Sequence, residues 1–222
     1  MEEELLPQKT PSSEPKDPWR ERPKWTLMGS SPLALLGRFF YALTGWKCVG
    51  KSPTRAKYVV IAAPHTSNWD GFHLLCAAAI LRLRFSYFGK DTLFVGPLGL
   101  ILRATGGMPL DRSKNQGLVA QAVAKFDESE TFAMGVAPEG TRQYTPGWKT
   151  GFYYIALEAH VPVLLGFIDY SRKEAGLLDE VLVPTGDIKR DFEILARLYA
   201  DKAPRHPQKR GPVVPLSDRS SA

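Results

Sequence analysis

The stretch Tyr58-Val-Val-Ile-Ala-Ala-Pro-His-Thr-Ser-Asn-Trp-Asp70 decides how this chain reads. Its first six residues are an unbroken apolar run, the pattern of a strand buried on both faces of a sheet. Pro64 ends the run, and from Asp70 to Leu81 the sequence is apolar and alanine-rich at helical length. A buried strand followed within a few residues by a buried helix begins an alternation that the rest of the body continues. Arg84–Phe88, Met108–Leu110, Thr131–Val136, Val161–Tyr170 and Glu180–Val183 read as strands. Phe94–Ala104, Gln116–Phe126, Gly151–Ala159 and Ile188–Ala200 read as helices, and Leu118, Val119, Ala122, Val123 and Phe126 line one helical stripe. The alternation predicts an α/β fold: a largely parallel central sheet with flanking helices.

Ahead of the sheet, Ser31-Pro32 is a good helix start. The segment 33–46 that follows is amphipathic, with Leu36, Phe39, Phe40 and Leu43 at i, i+3, i+4 and i+7. Arg20, Arg22, Lys24 and Lys47 flank it, and Trp25 and Trp46 stand near its ends. Two placements are open for this short N-terminal helix: in a membrane interface with aromatics at headgroup depth, or packed on the sheet. At fourteen residues it is too short to span a bilayer. Residues 1–24 hold five prolines among charged and small polar residues and are expected to be a disordered tail. The folded domain is then 25–200, and 201–222, with four prolines and several basic residues, is expected to be a flexible basic tail.

At 222 residues and 44% hydrophobic content there is material for one domain with a real core. Cys48 and Cys76 cannot build a disulfide framework, and no Cys/His cluster has zinc-ligand spacing, so no metal site is expected. A net charge of +6 suits an anionic partner, either nucleic acid, a phosphorylated metabolite or an anionic membrane. The basic residues are scattered and no aromatic RNA-binding signature is present, so nucleic acid is not expected. The acidic start MEEELL is unlike the basic start of a secretory signal, which disfavours export.

Gly45-Trp-Lys-Cys-Val-Gly-Lys-Ser52 matches the phosphate-loop pattern G-x4-G-K-[ST], and Val161–Asp169 is an apolar strand ending in aspartate. The pattern works only between a strand and a long helix whose N-terminus holds the phosphates. Here a helical segment precedes it, Pro53 follows, and no helix fits before Tyr58. Nucleotide hydrolysis is therefore a minor alternative.

His65-Thr-Ser-Asn-Trp-Asp70 is better placed, at the carboxyl end of a parallel strand where α/β proteins put their sites. An aspartate five residues on, across a strand-to-helix turn, is within reach of the imidazole. It would fix the tautomer and leave the other nitrogen free to take a proton from a hydroxyl. By itself this spacing is equally that of a helix-capping aspartate beside an unrelated histidine. Val136-Ala-Pro-Glu-Gly-Thr-Arg142 also follows a strand; Gly140 permits close backbone approach, and Arg142 offers a fork suited to phosphate. Glu139 is suited either to orienting that arginine or to accepting from a substrate hydroxyl. Gly106–Arg112 carries a second arginine, and Val161-Pro-Val-Leu-Leu165 looks like sheet core.

These four segments, in this order, resemble the lysophospholipid/glycerol-phosphate acyltransferase family, whose blocks are H-x4-D, a G-x5-R element, PEGTR and V-P-[IV]. The resemblance runs from about Val59 to Tyr170, and Gly89-Lys90 and Trp148-Lys-Thr-Gly151 fit it as well. Ala137 stands where the family often has phenylalanine, and Gln143 where it has a small residue. The resemblance implies His65 as general base with Asp70 as its partner. It implies that Glu139, Gly140, Thr141 and Arg142 line the acceptor site, with Lys90 and Arg112 helping to bind the acceptor phosphate.

The implied activity is transfer of a fatty acyl group from acyl-CoA or acyl-carrier protein to a lysophospholipid, by default 1-acylglycerol-3-phosphate, giving phosphatidic acid. Thioesters carry their own leaving group, so neither a resident cofactor nor a nucleophile elbow is expected, and no G-x-S-x-G occurs. An anionic membrane surface is the expected partner, at the cytoplasmic face of a bacterial inner membrane. The alternatives are another lyso-lipid acceptor, or a non-catalytic module that binds anionic lipid.

Overall fold

The computed structural model of the chain describes residues 31–90, 94–104, 106–110 and 117–216. Strands β1 (Lys47–Val49), β2 (Lys57–Ala63), β5 (Phe132–Val136), β6 (Val163–Asp169) and β7 (Glu174–Leu182) form one sheet in the order β1–β7–β6–β2–β5. Every pairing in it is parallel except β6 with β7. That pair is antiparallel because the turn between them is tight: buried Asp169 accepts from the Ser171 N–H, the Ser171 hydroxyl and the Arg172 N–H. The strand expected at Glu180–Val183 is the far end of β7. Strands β3 (Tyr87–Lys90) and β4 (Gly107–Leu110) make a separate parallel pair, tied to the edge of β5 through hydrogen bonds of Ser86 with Ala133 and Gly135.

Helices are α1 (Ser31–Thr44), α2 (Asn68–Ile80), α3 (Gly96–Ala104), α4 (Leu118–Glu128), α5 (Gly151–Glu158) and α6 (Ile188–Tyr199). Side chains along β2 and β6 alternate between the two faces, as the pleat requires. Val59, Ile61, Val163 and Leu165 meet Phe126, Phe152, Phe192 and Leu195 of α4, α5 and α6. Tyr58, Val60 and Leu164 meet Ala78 of α2 and Leu81 just after it. Each fully buried Leu, Ile or Phe contributes about 2 kcal/mol of hydrophobic stabilisation, so the central strands anchor both layers.

Helix α1 packs on α2 with Ala34 and Tyr41 buried, and the Tyr41 hydroxyl donates to the His73 carbonyl at 2.6 Å. A Cβ at Gly37 would stand 3.2 Å from the Cys76 carbonyl oxygen, which is how closely the two helices cross. The apolar stripe expected on this helix faces the opposite way. Leu35, Leu36, Phe39 and Leu43 are all more than 60% exposed, while Phe40 is half-buried, edge-on to Phe72. Among the described residues no helix is long and apolar enough to cross a membrane.

The phosphate-loop match does not survive in three dimensions. Gly45 terminates α1, Lys47–Val49 is an edge strand, and Gly50 (φ +95°) presses on the Leu177 carbonyl, with no helix until α2. The expectation of a flexible tail from 201 is also corrected. Residues 201–216 lie on the domain: Arg210 donates to the carbonyls of Tyr199 and Lys202, and Trp148 and Leu216 pair through their backbones. The stretch is rich in proline, yet Lys202, the His206 N–H and Arg210 find partners. Residues 1–24, expected to be a disordered tail, and residues 217–222 lie outside the described residues.

Candidate active site

His65 sits two residues beyond β2, on the loop that leads into α2. Ser67 caps α2, its hydroxyl accepting from the Trp69 N–H, and Asp70 completes a capping box. The Asp70 carboxylate is fully buried. Its Oδ2 accepts from the Thr66 N–H at 2.5 Å and the Ser67 N–H at 2.7 Å, and its Oδ1 accepts from the Tyr170 hydroxyl at 2.7 Å. The same Oδ2 faces Nδ1 of His65 at 4.0 Å, an ion-pair separation rather than a hydrogen bond. Asp70 is thus both the helix cap and the group behind the histidine.

Nδ1 of His65 makes no hydrogen bond among the described residues, although it is buried. Burial holds the imidazole below its ordinary pKa, against the pull of Asp70 and with the help of nearby Arg142. The ring is therefore neutral at pH 7, the form that accepts a proton. With Nδ1 toward Asp70, Nε2 is the nitrogen turned away from it.

The second loop follows β5. Gly140 has φ +66°, the left-handed region that favours glycine, and a Cβ there would come within 2.7 Å of the flexible end of the Lys149 side chain. Its N–H donates to the Ala137 carbonyl, and the Lys149 N–H donates to the Pro138 carbonyl, closing the loop. Glu139 points inward. It is 4% exposed, and its Oε2 accepts the His65 backbone N–H at 2.5 Å. Burial raises its pKa to about 7, only partly offset by that hydrogen bond. No ion pair joins it to Arg142 among the described residues, and its Oε2 braces the His65 backbone from behind.

Two cavities meet at His65. One, of about 740 Å³, has a polar wall that includes Thr141, Arg142, Gln143 and Lys149. The other, of about 590 Å³, lies between α2 and the sheet and is bounded by residues such as Val60, Gly71, Leu74, Ala78, Leu81 and Leu177. His65 and Arg142 line both. Of the residues named from the sequence, His65, Asp70, Glu139, Gly140, Thr141 and Arg142 are brought together here. Lys90 ends β3, and its side chain, like all of Arg112, lies outside the described residues. Sequence reasoning assigns no role to Lys149 or to Tyr170. The Trp148–Gly151 stretch is the one signal for the first, and nothing local points to the second.

Residues 46–164 match the family described as Acyltransferase. No curated protein sequence matches the chain at a significant level. Among solved structures the fold is similar to that of the 1-acyl-sn-glycerophosphate acyltransferase PlsC from Thermotoga maritima. The two align with a TM-score of 0.54 and 20% identity over 76% of this chain and 77% of that one.

Proposed function

This chain belongs to the acyltransferase family, and from that premise we propose that it transfers a fatty acyl group from a thioester to the hydroxyl of a lysophospholipid, with His65 as general base. The observation that carries the proposal is the position of His65 between a polar cavity and an apolar one. A lysophospholipid and an acyl thioester together need such a junction: a cationic pocket for a phosphate, an apolar one for a chain, and a base where they meet.

In the proposed reaction, Nε2 of His65 takes the proton of the acceptor hydroxyl as its oxygen attacks the thioester carbonyl. The tetrahedral intermediate collapses with cleavage of the carbon–sulfur bond, and the departing thiolate takes the proton back from the imidazolium. Asp70 steadies that imidazolium through charge. Arg142 and Lys149 bind the acceptor phosphate, with Lys90 and Arg112 as further candidates, and 1-acylglycerol-3-phosphate is the acceptor we favour. Acyl-CoA and acyl-carrier protein both suit the donor side, and no resident cofactor is called for because the thiol is already a good leaving group.

We also assign the exposed face of α1 to a membrane surface. Leu35, Leu36, Phe39 and Leu43 form an apolar strip beside Arg38, and Trp69, Phe72 and Leu75 of α2 are at least 40% exposed. A lipid acceptor presented from a bilayer would reach the site from there.

The test is thiol release from palmitoyl-CoA and from palmitoyl-acyl-carrier protein, with a panel of lysolipids and glycerol-3-phosphate. Release that depends on one acceptor and disappears in His65→Ala is expected. Equal release by folded His65→Ala would remove the mechanism. Vesicle binding without release from either donor would favour the non-catalytic lipid-binding alternative.

A further inference from the structure

Tyr170 stands one residue beyond β6, outside the stretch matched to the family, and 100 positions from Asp70, yet its hydroxyl donates to Asp70 Oδ1 at 2.7 Å. A buried carboxylate needs donors on its oxygens to remain charged. Oδ2 of Asp70 is shared between two backbone N–H groups and faces His65, while the Tyr170 hydroxyl serves Oδ1. The tyrosine is itself well held. Its ring stands edge-on to Trp46 at 5.1 Å and to His73 at 6.0 Å, and the Arg205 guanidinium lies 5.8 Å from its centroid. The walls of the two cavities do not include it.

We infer that Tyr170 is a positioning residue: its hydroxyl holds the Asp70 carboxylate in the orientation that faces His65. The assignment rests on His65 acting as the base. Without the hydroxyl, Oδ1 is left buried and lacking that donor, so the carboxylate charge is less spread out. That charge pulls harder on the His65 proton, and the deprotonated, base form of His65 appears at higher pH. The other charged groups near the pair are Arg142 beside His65, Glu139 on the His65 N–H, His73 one turn along α2, and Arg205, which also hydrogen-bonds the Tyr170 side chain. The first three keep their contacts in the variant below, so a difference between variant and wild type reports the lost hydroxyl and the hydrogen bonds it makes.

Tyr170→Phe keeps the ring and removes one oxygen. In the full chain, we expect the His65 imidazole, followed by NMR and assigned with His65→Ala, to titrate at higher pH than in wild type. The acid limb of kcat/KM should move with it, kcat should fall about tenfold, and KM for donor and acceptor should stay within twofold. In an Asp70→Asn background, Tyr170→Phe should cost no further kcat, because the carboxylate it serves is gone. Unchanged titration and unchanged kcat in the folded variant would overturn the assignment, as would a fully additive loss in the Asp70→Asn background. If wild type releases thiol from no thioester, the acyl-transfer proposal falls by itself. The NMR titration then still decides on Tyr170, with a shift upholding the Asp70 contact and no shift removing it.

Discussion

The two loops that meet at the site are built in opposite ways. The loop after β2 is largely buried and its backbone is tied down by hydrogen bonds: Asp70 holds Thr66 and Ser67, Glu139 holds the His65 backbone, and the His206 N–H donates to the Thr66 hydroxyl. In the loop after β5 the backbone turn is tightly closed at Gly140 and Lys149, but Arg142, Gln143, Tyr144 and Lys149 present their side chains to solvent. Under the proposed reaction the difference has a physical reason. A proton-transfer group must keep one geometry, and burial both fixes it and lowers its pKa. A group that binds a charged headgroup must stay hydrated until the ligand arrives, since burying an unpaired cation is costly.

Substitutions can break or sharpen that contrast. The largest effect is expected for Asp70→Asn, which keeps an oxygen acceptor for the Thr66 and Ser67 N–H groups but removes the charge behind His65. Turnover should fall about a thousandfold with the circular dichroism unchanged; a loss below tenfold would place the chemistry elsewhere. Glu139→Gln comes next and acts on stability. The wild-type carboxyl has its pKa raised to about 7 in the folded state, so the folded protein binds a proton that the unfolded chain has released. Stability therefore falls as pH rises from about 4.5 to 7, by at most about 3 kcal/mol from this group. The glutamine variant should lack that decline, which urea denaturation at pH 5 and pH 8 would reveal.

Arg142→Ala should leave kcat within threefold and raise the acceptor KM tenfold or more, with the loss blunted at high salt. An equal fall in kcat and kcat/KM would move Arg142 from recognition to chemistry. The smallest effect belongs to Gly140→Ala. The left-handed backbone and the contact with Lys149 should cost about 1 kcal/mol or slightly more, read as a lowered thermal midpoint.

Legibility along the chain follows the distance over which each contact acts. Asp70 and His65 are five residues apart across a strand-to-helix turn, so the sequence already places them together; what it leaves open is whether the aspartate caps the helix or backs the histidine, and it does both. Glu139 is visible as part of a motif, but its partner is not, because its acceptor role depends on a backbone N–H 74 residues away. The apolar stripe of α1 is visible by spacing, yet only the packing of Ala34 and Tyr41 on α2 decides that the stripe faces outward. Residues 201–216 mislead because prolines and basic residues resemble a solvated tail by composition. Arg210 instead satisfies two carbonyls at the end of α6.

By itself, the sequence determined the strand–helix alternation, the α/β class, the loop that carries His65 and Asp70 and the loop that carries Arg142. Each is encoded within a window of a few residues by hydrophobic period, capping chemistry and turn-forming glycine. Only the tertiary structure decided that Glu139 braces the histidine, that Tyr170 meets Asp70, that a polar and an apolar cavity join at His65, and that the segment 201–216 packs against the loop carrying Thr66. Those hydrogen bonds link residues 74 to 140 positions apart. No local pattern encodes them, because burial selects such partners only once the sheet has brought the ends of β2, β5 and β6 to one edge.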